Sequence, residues 1–109
     1  MIRVCSLEDV PKGTAISADV GGTPFALVHA DDDQVYAVYD QCSHAAVALS
    51  EGEVDGCTLE CWLHGSRFDL RTGQPTGLPA TEPVPTFPVE IRDGDVYLSL
   101  ESSNGVKNP

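Results

Sequence analysis

A chain of 109 residues has room for one hydrophobic core, and an apolar content of 41% is enough to fill it. Apolar runs such as Phe25 to Val28 are too short to cross a bilayer, and the first residues lack the apolar stretch of a signal peptide, so we expect a cytoplasmic protein without membrane contact. Seventeen acidic residues against six basic ones give a formal net charge of -11, which argues against nucleic acid as a partner and favours either a basic protein partner or a role in solubility.

The N-terminal part of the chain alternates short apolar segments with turn residues. Val, Ile, Phe and Tyr are concentrated in the segments, whereas Pro, Gly and Asp separate them. One helical turn is predicted after the first segment, where Ser6 followed by Asp9 can cap it. The predicted strands are Ile2 to Cys5, Thr14 to Val20, Pro24 to His29 and Val35 to Tyr39.

The rest of the chain is richer in loops, above all from about Asp40 to Pro85. No stretch of about ten residues or more keeps a helical apolar period, so we predict an all-β fold, either a sandwich or a small barrel of antiparallel sheets. Asp93-Gly94 is a two-residue hairpin signal, and the tail from Ser102 onward is polar and expected to be frayed. The predicted strands here are Cys57 to Glu60, Val84 to Ile91 and Asp95 to Leu100.

Two short motifs in the loop-rich segment combine thiols with imidazoles. Cys42 and His44 form the first, and Cys61 and His64 form the second. These ligands suit zinc or iron–sulfur chemistry and do not suit calcium or magnesium, which prefer oxygen. Structural zinc sites usually pair like ligands on each loop, whereas each loop here carries one Cys and one His. Mixed loops favour a two-iron cluster in which the cysteines bind one iron and the histidines bind the other.

Cys42-Ser43-His44 and Cys61-Trp62-Leu63-His64-Gly65-Ser66 resemble the Rieske-type [2Fe-2S] family. In that family the two motifs lie at the tips of hairpin loops. The resemblance covers nearly the whole chain and implies one Rieske domain over 1–109, an antiparallel β-sandwich with a loop-rich cluster-binding part inserted at about 40–85. It implies one [2Fe-2S] cluster, and the residues that it places at the cluster are the four ligands Cys42, His44, Cys61 and His64 and the neighbouring Ser66, Trp62 and Pro79, the last in the family's proline-bearing loop.

Two subgroups of the family differ in a disulfide that links the cluster loops of respiratory and photosynthetic Rieske subunits. Its positions fall on Val47 and Leu63, and neither Cys5 nor Cys57 can replace them by sequence position. The chain therefore resembles the soluble ferredoxins, whose members carry single electrons from an NAD(P)H-dependent flavin reductase to the terminal oxygenase of an aromatic ring-hydroxylating dioxygenase system, in aromatic hydrocarbon catabolism.

The resemblance also implies how such a carrier works. The partners would dock near the exposed rings of His44 and His64, and a monomer is expected. The chain would not itself be an enzyme, because oxygen chemistry needs a mononuclear iron site and only His29 remains once the cluster has its ligands. High-potential members carry a Ser and a Tyr that donate to the cluster sulfurs; Ser66 keeps the first hydroxyl and Phe68 lacks the second, which predicts a low potential for a Rieske centre.

Other interpretations of these residues stay open at this point. Cys5 and Cys57 are expected to be small buried residues of strands, and His29 a strand-end residue without a function. Trp62 would either pack over the cluster or lie exposed on a docking surface. The alternative functions are the small subunit of an assimilatory nitrite reductase, a Rieske ferredoxin serving iron–sulfur assembly or another oxidoreductase, and a zinc-stabilised interaction module.

Overall fold

The computed structural model describes residues 1–41, 48–62, 65–77 and 82–106. Within these ranges all strand pairings are antiparallel, which confirms the predicted all-β class. The strands are β1 (Ile2–Ser6), β2 (Ala15–Val20), β3 (Thr23–His29), β4 (Val35–Tyr39), β5 (Val54–Asp55), β6 (Thr58–Glu60), β7 (Arg67–Asp69), β8 (Thr86–Phe87), β9 (Val89–Arg92) and β10 (Asp95–Leu98). Short 3-10 turns occur at Leu7–Asp9 and Leu49–Glu51, and the described part of the chain contains no helix long and apolar enough to cross a membrane.

Three small sheets are stacked around one strand that is buried on both faces. The strand orders are β1-β10-β9, β2-β3-β4-β8 and β5-β6-β7. In β3, Phe25 and Leu27 pack into one core, and Ala26 and Val28 pack into another. Because successive side chains of a strand point to opposite faces, a run of four apolar residues is what a doubly covered strand requires. The middle sheet is therefore the layer on which the other two pack.

The two cores lie on opposite sides of the middle sheet. The first core fills the space against the β1-β10-β9 sheet, with Phe25 and Phe87 in edge-to-face contact at 4.8 Å between ring centroids. The second core fills the space against the β5-β6-β7 sheet and includes Leu59, Cys61 and Phe68, all of them buried. The motif residue Cys61 is thus part of the packing that joins the third sheet to the rest of the fold.

The predicted strand from Val84 to Ile91 is wrong, because two strands occupy that segment. Thr86–Phe87 pairs with β4 in the middle sheet, whereas Val89–Arg92 pairs with β10 in the outer sheet. Pro88 lies between them, and proline has no N–H to donate to a ladder, so it stands where the chain passes from one sheet to the next. Apolar alternation continues across this point, which is why the sequence pattern did not show the break.

Two local predictions are confirmed by the backbone. Asp93 and Gly94 both have positive φ, 49° and 79°, as a two-residue turn of type I′ requires, and they join β9 to β10. The turn expected after β1 forms at Leu7–Asp9, where the N–H of Ser6 donates to the Asp9 carboxylate at 3.2 Å. The strands β5 and β7 were not predicted, because two or three residues between loops carry too little periodicity to be recognised.

The prediction of a frayed tail is wrong for residues 102–106. The backbone N–H of Ser103 donates to the Thr86 carbonyl at 2.7 Å. The side-chain amide of Asn104 donates to the carbonyls of Thr72 and Val84, both at 2.9 Å, and its oxygen accepts from the N–H of Thr86 at 3.3 Å. A polar tail is therefore held in place by hydrogen bonds to three backbone positions, which composition alone does not reveal.

Replacing Asn104 tests this brace. Asn104→Ala removes the three side-chain hydrogen bonds that join the tail to Thr72, Val84 and Thr86, besides local bonds with Ser102 and Val106. We expect it to lower the free energy of unfolding by about 2 to 3 kcal/mol, at roughly 1 kcal/mol for each of the three bonds to the rest of the fold. Urea denaturation followed by circular dichroism measures the change. Gln34→Ala, which truncates an exposed side-chain amide in the β3–β4 turn, is the control and should change stability by less than about 0.5 kcal/mol. Equal stability of the two variants would contradict the role of Asn104.

Candidate metal centre

The loop that carries Cys61 is closed tightly at its base. β6 ends at Glu60 and β7 begins at Arg67, so the loop has six residues. The N–H of Cys61 donates to the Ser66 carbonyl at 2.6 Å, and the N–H of Gly65 donates back to the Cys61 carbonyl at 2.9 Å. Gly65 has φ +74°, a left-handed conformation that glycine adopts without strain. The loop is therefore anchored on the β6–β7 hairpin, with Cys61 at its first position.

Side chains of this loop divide between the interior and the solvent. Cys61 is fully buried against the second core, and Ser66 is 1% exposed. Trp62, between them in sequence, is 51% exposed. Of the two alternatives for Trp62, the structure therefore supports the exposed one. A thiol and a hydroxyl held inside one loop are suitable groups for a sulfur-rich cofactor, because the thiolate can bind a metal and the hydroxyl can donate to sulfur.

A charged pair spans the base of the same loop. Glu60 and Arg67 are cross-strand partners, with Glu60 Oε2 and Arg67 Nη2 3.7 Å apart, and Asp55 Oδ2 lies 3.6 Å from Arg67 Nη1. Both distances exceed hydrogen-bonding range, and Arg67 Nη1 is buried with no hydrogen-bond partner among the described residues. Because the pairs are partly exposed, they contribute little to the free energy of unfolding. Their main effect is that the two carboxylates balance the positive charge of Arg67 at the base of the loop.

The segment that contains Cys42 and His44 has a closed base of its own. Asp40 follows β4 and is only 7% exposed; its carboxylate accepts from the N–H and the hydroxyl of Ser50, both at 2.7 Å. Asp40 and Ser50 are ten residues apart and lie on the two sides of the motif. A buried carboxylate needs such partners, so these bonds hold together the two ends of the chain that flank residues 42–47.

A close backbone contact then joins the two loop bases. The N–H of Glu60 donates to the Glu53 carbonyl at 2.9 Å, and a Cβ at Gly52 would lie 1.6 Å from the Glu60 carbonyl oxygen. Only glycine allows this approach. The chain after Ser50 therefore packs directly against the residue before Cys61, and this contact joins the described residues that flank the two predicted motifs.

The predicted site residues are only partly within the described ranges. Cys61, Trp62 and Ser66 are described above. Residues that lie outside the described ranges are Cys42, His44, His64 and Pro79, and also Val47 and Leu63. Across 1–41, 48–62, 65–77 and 82–106 there is no group of three or more His, Cys, Asp or Glu arranged for a metal, and Cys61 is the one predicted ligand in those ranges. The four-ligand set remains a prediction.

The remaining described cysteines and His29 make contacts that belong to the packing of the fold. Cys5 and Cys57 are half-buried, carry free thiols and pack against the two cores, and burial raises the pKa of Cys5. His29 is the last residue of β3, as predicted, and its Nδ1 lies 2.9 Å from the Val10 carbonyl. None of these contacts points to a second site.

The Tyr36 hydroxyl donates to Asp32 in the β3–β4 turn at 2.6 Å. Burial, followed by this hydrogen bond, raises the pKa of Tyr36 to about 12, and the same bond lowers the pKa of Asp32. Next to it, the N–H of Gly56 donates to the Asp31 carboxylate at 3.2 Å. The acidic turn therefore serves to hold the third sheet on the middle one.

Comparison with known protein families identifies the family of this chain. The Rieske [2Fe-2S] domain family matches residues 1–88. The chain is a member of this family. Because the family carries one [2Fe-2S] cluster, the cofactor predicted from the Cys-x-His and Cys-x-x-His motifs is confirmed, and zinc is disfavoured.

Similar Rieske proteins are ferredoxins of dioxygenase systems. Ferredoxin CarAc of Metapseudomonas resinovorans is 41% identical over 101 residues, covering 92% of this chain and 94% of its own length. The 3-phenylpropionate/cinnamic acid dioxygenase ferredoxin subunit of Escherichia coli (strain K12) is 39% identical over 100 residues, covering 91% and 92%. The chain thus spans these relatives almost completely.

Solved structures agree with this relationship. The ferredoxin of carbazole 1,9a-dioxygenase from Nocardioides aromaticivorans IC177 superposes with a TM-score of 0.85 at 35% identity, covering 92% of this chain and 97% of that one. A ferredoxin in a complex of reduced oxygenase and oxidized ferredoxin in carbazole 1,9a-dioxygenase has a TM-score of 0.83 at 39% identity, covering 90% and 100%. A putative nitrite reductase small subunit has a TM-score of 0.79 at 24% identity, which shows a shared fold alone.

The residues of this chain fit the family's cluster. The donor set in the sequence is complete, with two thiols and two imidazoles in the family's order. Where the structure describes the site, it places the thiol of Cys61 in the interior, in a loop closed by two backbone hydrogen bonds, with the buried Ser66 at the other end of that loop. Sequence reasoning missed the Asp40–Ser50 pair, because its members are ten residues apart and follow no motif or period.

Removing the Ser50 hydroxyl tests whether this base holds the cofactor. Ser50→Ala removes one of the two hydrogen bonds that the buried Asp40 carboxylate accepts from Ser50, and we expect a loss of about 1 to 3 kcal/mol in the free energy of unfolding. Thermal bleaching of the visible iron–sulfur absorption should then begin at a lower temperature than in the wild type. Ser17→Ala, on an exposed position of β2, makes the same chemical change and should bleach like the wild type. Identical bleaching of both variants would contradict the proposed anchoring.

Proposed function

We propose that this protein is the one-electron carrier of an aromatic ring-hydroxylating dioxygenase system, passing electrons from an NAD(P)H-dependent flavin reductase to the terminal oxygenase. The observation that carries the proposal is the near-complete match, at 39 to 41% identity, to ferredoxins and ferredoxin subunits of dioxygenases. One structural neighbour is a ferredoxin in complex with the oxygenase of its own system. The carrier itself is not a catalyst, in line with the role of these ferredoxin components.

The ligand assignment is part of the proposal. Cys42 and Cys61 would hold one iron of the cluster, and His44 and His64 would hold the other. The closed loop bases at Asp40–Ser50 and at Cys61–Ser66 support it, because they fix the flanks of both motifs at one end of the fold. The chain 1–109 would then form one Rieske domain, with the cluster-binding part at about 40–85 inserted in the β base.

The chemistry divides between the cofactor and the chain. The bound cluster supplies reversible one-electron transfer. The chain supplies neutral imidazoles in place of two thiolates, which removes negative charge and makes electron uptake easier than in four-thiolate ferredoxins. Ser66 would donate to cluster sulfur and raise the potential, whereas Phe68, buried on β7, has no hydroxyl to do so. Pro79 would shield the cluster from solvent in the family's covering loop.

Location and partners follow from the same assignment. A cytoplasmic protein is proposed, since its reductase would draw on NAD(P)H. The net charge of -11 supports brief contacts with basic protein surfaces and disfavours nucleic acid and anionic membranes. Docking would take place near His44 and His64, and the carrier would act as a monomer.

Other redox roles have weaker support. The nitrite reductase small subunit shares the fold at 24% identity, whereas dioxygenase ferredoxins reach 39 to 41%. A ferredoxin for iron–sulfur assembly or for another oxidoreductase would use the same cluster. Reconstitution with a reductase and an oxygenase distinguishes these roles directly.

The midpoint potential tests the assignment of the cluster surroundings. Redox titration of the purified protein should give a value below about +150 mV, in the lower part of the range for Rieske centres. Ser66→Ala should lower the potential further because the reduced cluster loses a hydrogen-bond donor. Phe68→Tyr should raise it, because it adds the missing hydroxyl. Ser17→Ala serves as the control and should leave the potential unchanged; a midpoint above about +150 mV would contradict the assignment.

Ionic strength tests the electron-carrier role. The second-order rate of reoxidation of the reduced protein by its oxygenase should fall steadily between about 0.1 M and 1 M salt, as the Debye length shrinks from about 10 Å to about 3 Å. Stopped-flow absorbance of the cluster measures this rate. A rate that is flat across this range would refute electrostatic steering, and the absence of reoxidation by any ring-hydroxylating oxygenase of the source organism would refute the proposed function.

A further inference from the structure

The tryptophan next to the buried ligand Cys61 is exposed. Trp62 is the sole tryptophan of the chain and is 51% exposed, although it directly follows a residue with no exposed surface. Four other large apolar side chains are exposed in the described ranges, and they lie elsewhere. They are Met1 and Ile2 at the start of β1, Ile91 on β9 and Leu100 after β10. Trp62 alone among them belongs to a loop with a cluster motif.

Half-exposed indoles are favourable contact groups. Tryptophan offers a large rigid apolar surface at little cost in conformational entropy, and it is among the residues most enriched where protein partners bind. Its ring face also attracts the guanidinium or ammonium group of a basic side chain. An indole at this position therefore suits a partner surface that combines an apolar site with cations.

The chain beside Trp62 is acidic. Residues 48–62 contain four carboxylates and no basic residue. Glu51 and Glu53 are exposed, and their segment is held against the residues that precede Trp62 by the hydrogen bond from Glu60 to the Glu53 carbonyl. The positive charge of Arg67 is already balanced by Asp55 and Glu60. A cation brought by a partner would therefore meet exposed carboxylates on the chain segment that is hydrogen-bonded to β6, the strand that leads to Trp62.

We propose that Trp62 is the anchor of the docking surface for the terminal oxygenase, with its indole entering an apolar site that arginine or lysine side chains surround. Glu51 and Glu53 attract those cations during approach. The inference rests on the function proposed above and adds to it the residue that holds the partner. The oxygenase is the chosen occupant because the neighbour that matches at 39% identity over its whole chain comes from a complex with an oxygenase.

Trp62 contacts the partner in this proposal and is not a cluster ligand. Its replacement should therefore change the affinity for the oxygenase without changing the properties of the cluster. Trp62→Ala should weaken binding of the oxygenase at least tenfold, the range expected for a central aromatic anchor. Trp62→Phe keeps an aromatic ring and should lose less than about threefold. The visible spectrum and the midpoint potential should match those of the wild type in both variants.

The experiment measures binding by calorimetry with the oxygenase of the source organism that reoxidises the reduced wild-type protein. Leu100→Ala is the matched control, because Leu100 has a similar exposure, 49%, and lies outside the loop. Oxidative footprinting with hydroxyl radicals adds a test without substitution, since Trp62 should be protected by the oxygenase and Leu100 should not.

The outcomes separate this inference from the proposed function. If Trp62→Ala binds as tightly as Leu100→Ala and Trp62 is not protected, the anchor is refuted while the reoxidation rate still supports an electron carrier. If Trp62→Ala loses its visible spectrum, protection of Trp62 in the wild type decides the matter. If no oxygenase reoxidises the wild type, the proposed function and the anchor are refuted together.

Discussion

Closure of two loops at their bases is the constraint on which the metal centre depends. A two-iron cluster needs four ligands from separate parts of the chain, and each part must present its pair with little freedom. The Asp40 carboxylate closes one segment through two hydrogen bonds to Ser50, and backbone bonds between Cys61, Gly65 and Ser66 close the other. The entropy lost in ordering the ends of these loops is thus offset by hydrogen bonds that do not involve the cofactor, which lowers the entropy cost of binding it.

The two loop bases can be rigid because they pack against the middle sheet, whose strand β3 is buried on both faces. Side chains of β3 pack into both cores, and the second core also contains Leu59, Phe68 and Cys61. Because close-packed interiors deform little, the packing of these side chains fixes the position of Cys61 relative to β3. The buried thiol therefore takes its place from the same contacts that hold the third sheet on the fold.

Sequence reasoning succeeded where the signal is local. The hairpin at Asp93-Gly94 and the turn after Ser6 depend on neighbouring residues, and the buried run in β3 has an unmistakable composition. The family could be recognised because its motifs are short and specific.

Reasoning from the sequence failed where distant parts of the chain decide the structure. Pro88 divides a continuous apolar pattern between two sheets, and Asn104 orders a polar tail through residues about 20 to 30 positions away. The anchoring of Asp40 on Ser50 and the approach at Gly52 leave no periodic trace. Such contacts appear only when the chain is folded.

The position of Asn104 has a consequence for how the protein matures during synthesis. Its side chain binds Thr72, Val84 and Thr86, which flank the segment around Pro79 on both sides. A ribosome makes residue 104 after both Cys–His motifs, so the hydrogen bonds of Asn104 to Thr72, Val84 and Thr86 can form only after those motifs have been synthesised. The flanks of this segment are therefore joined late, when both predicted cluster motifs are already present in the chain.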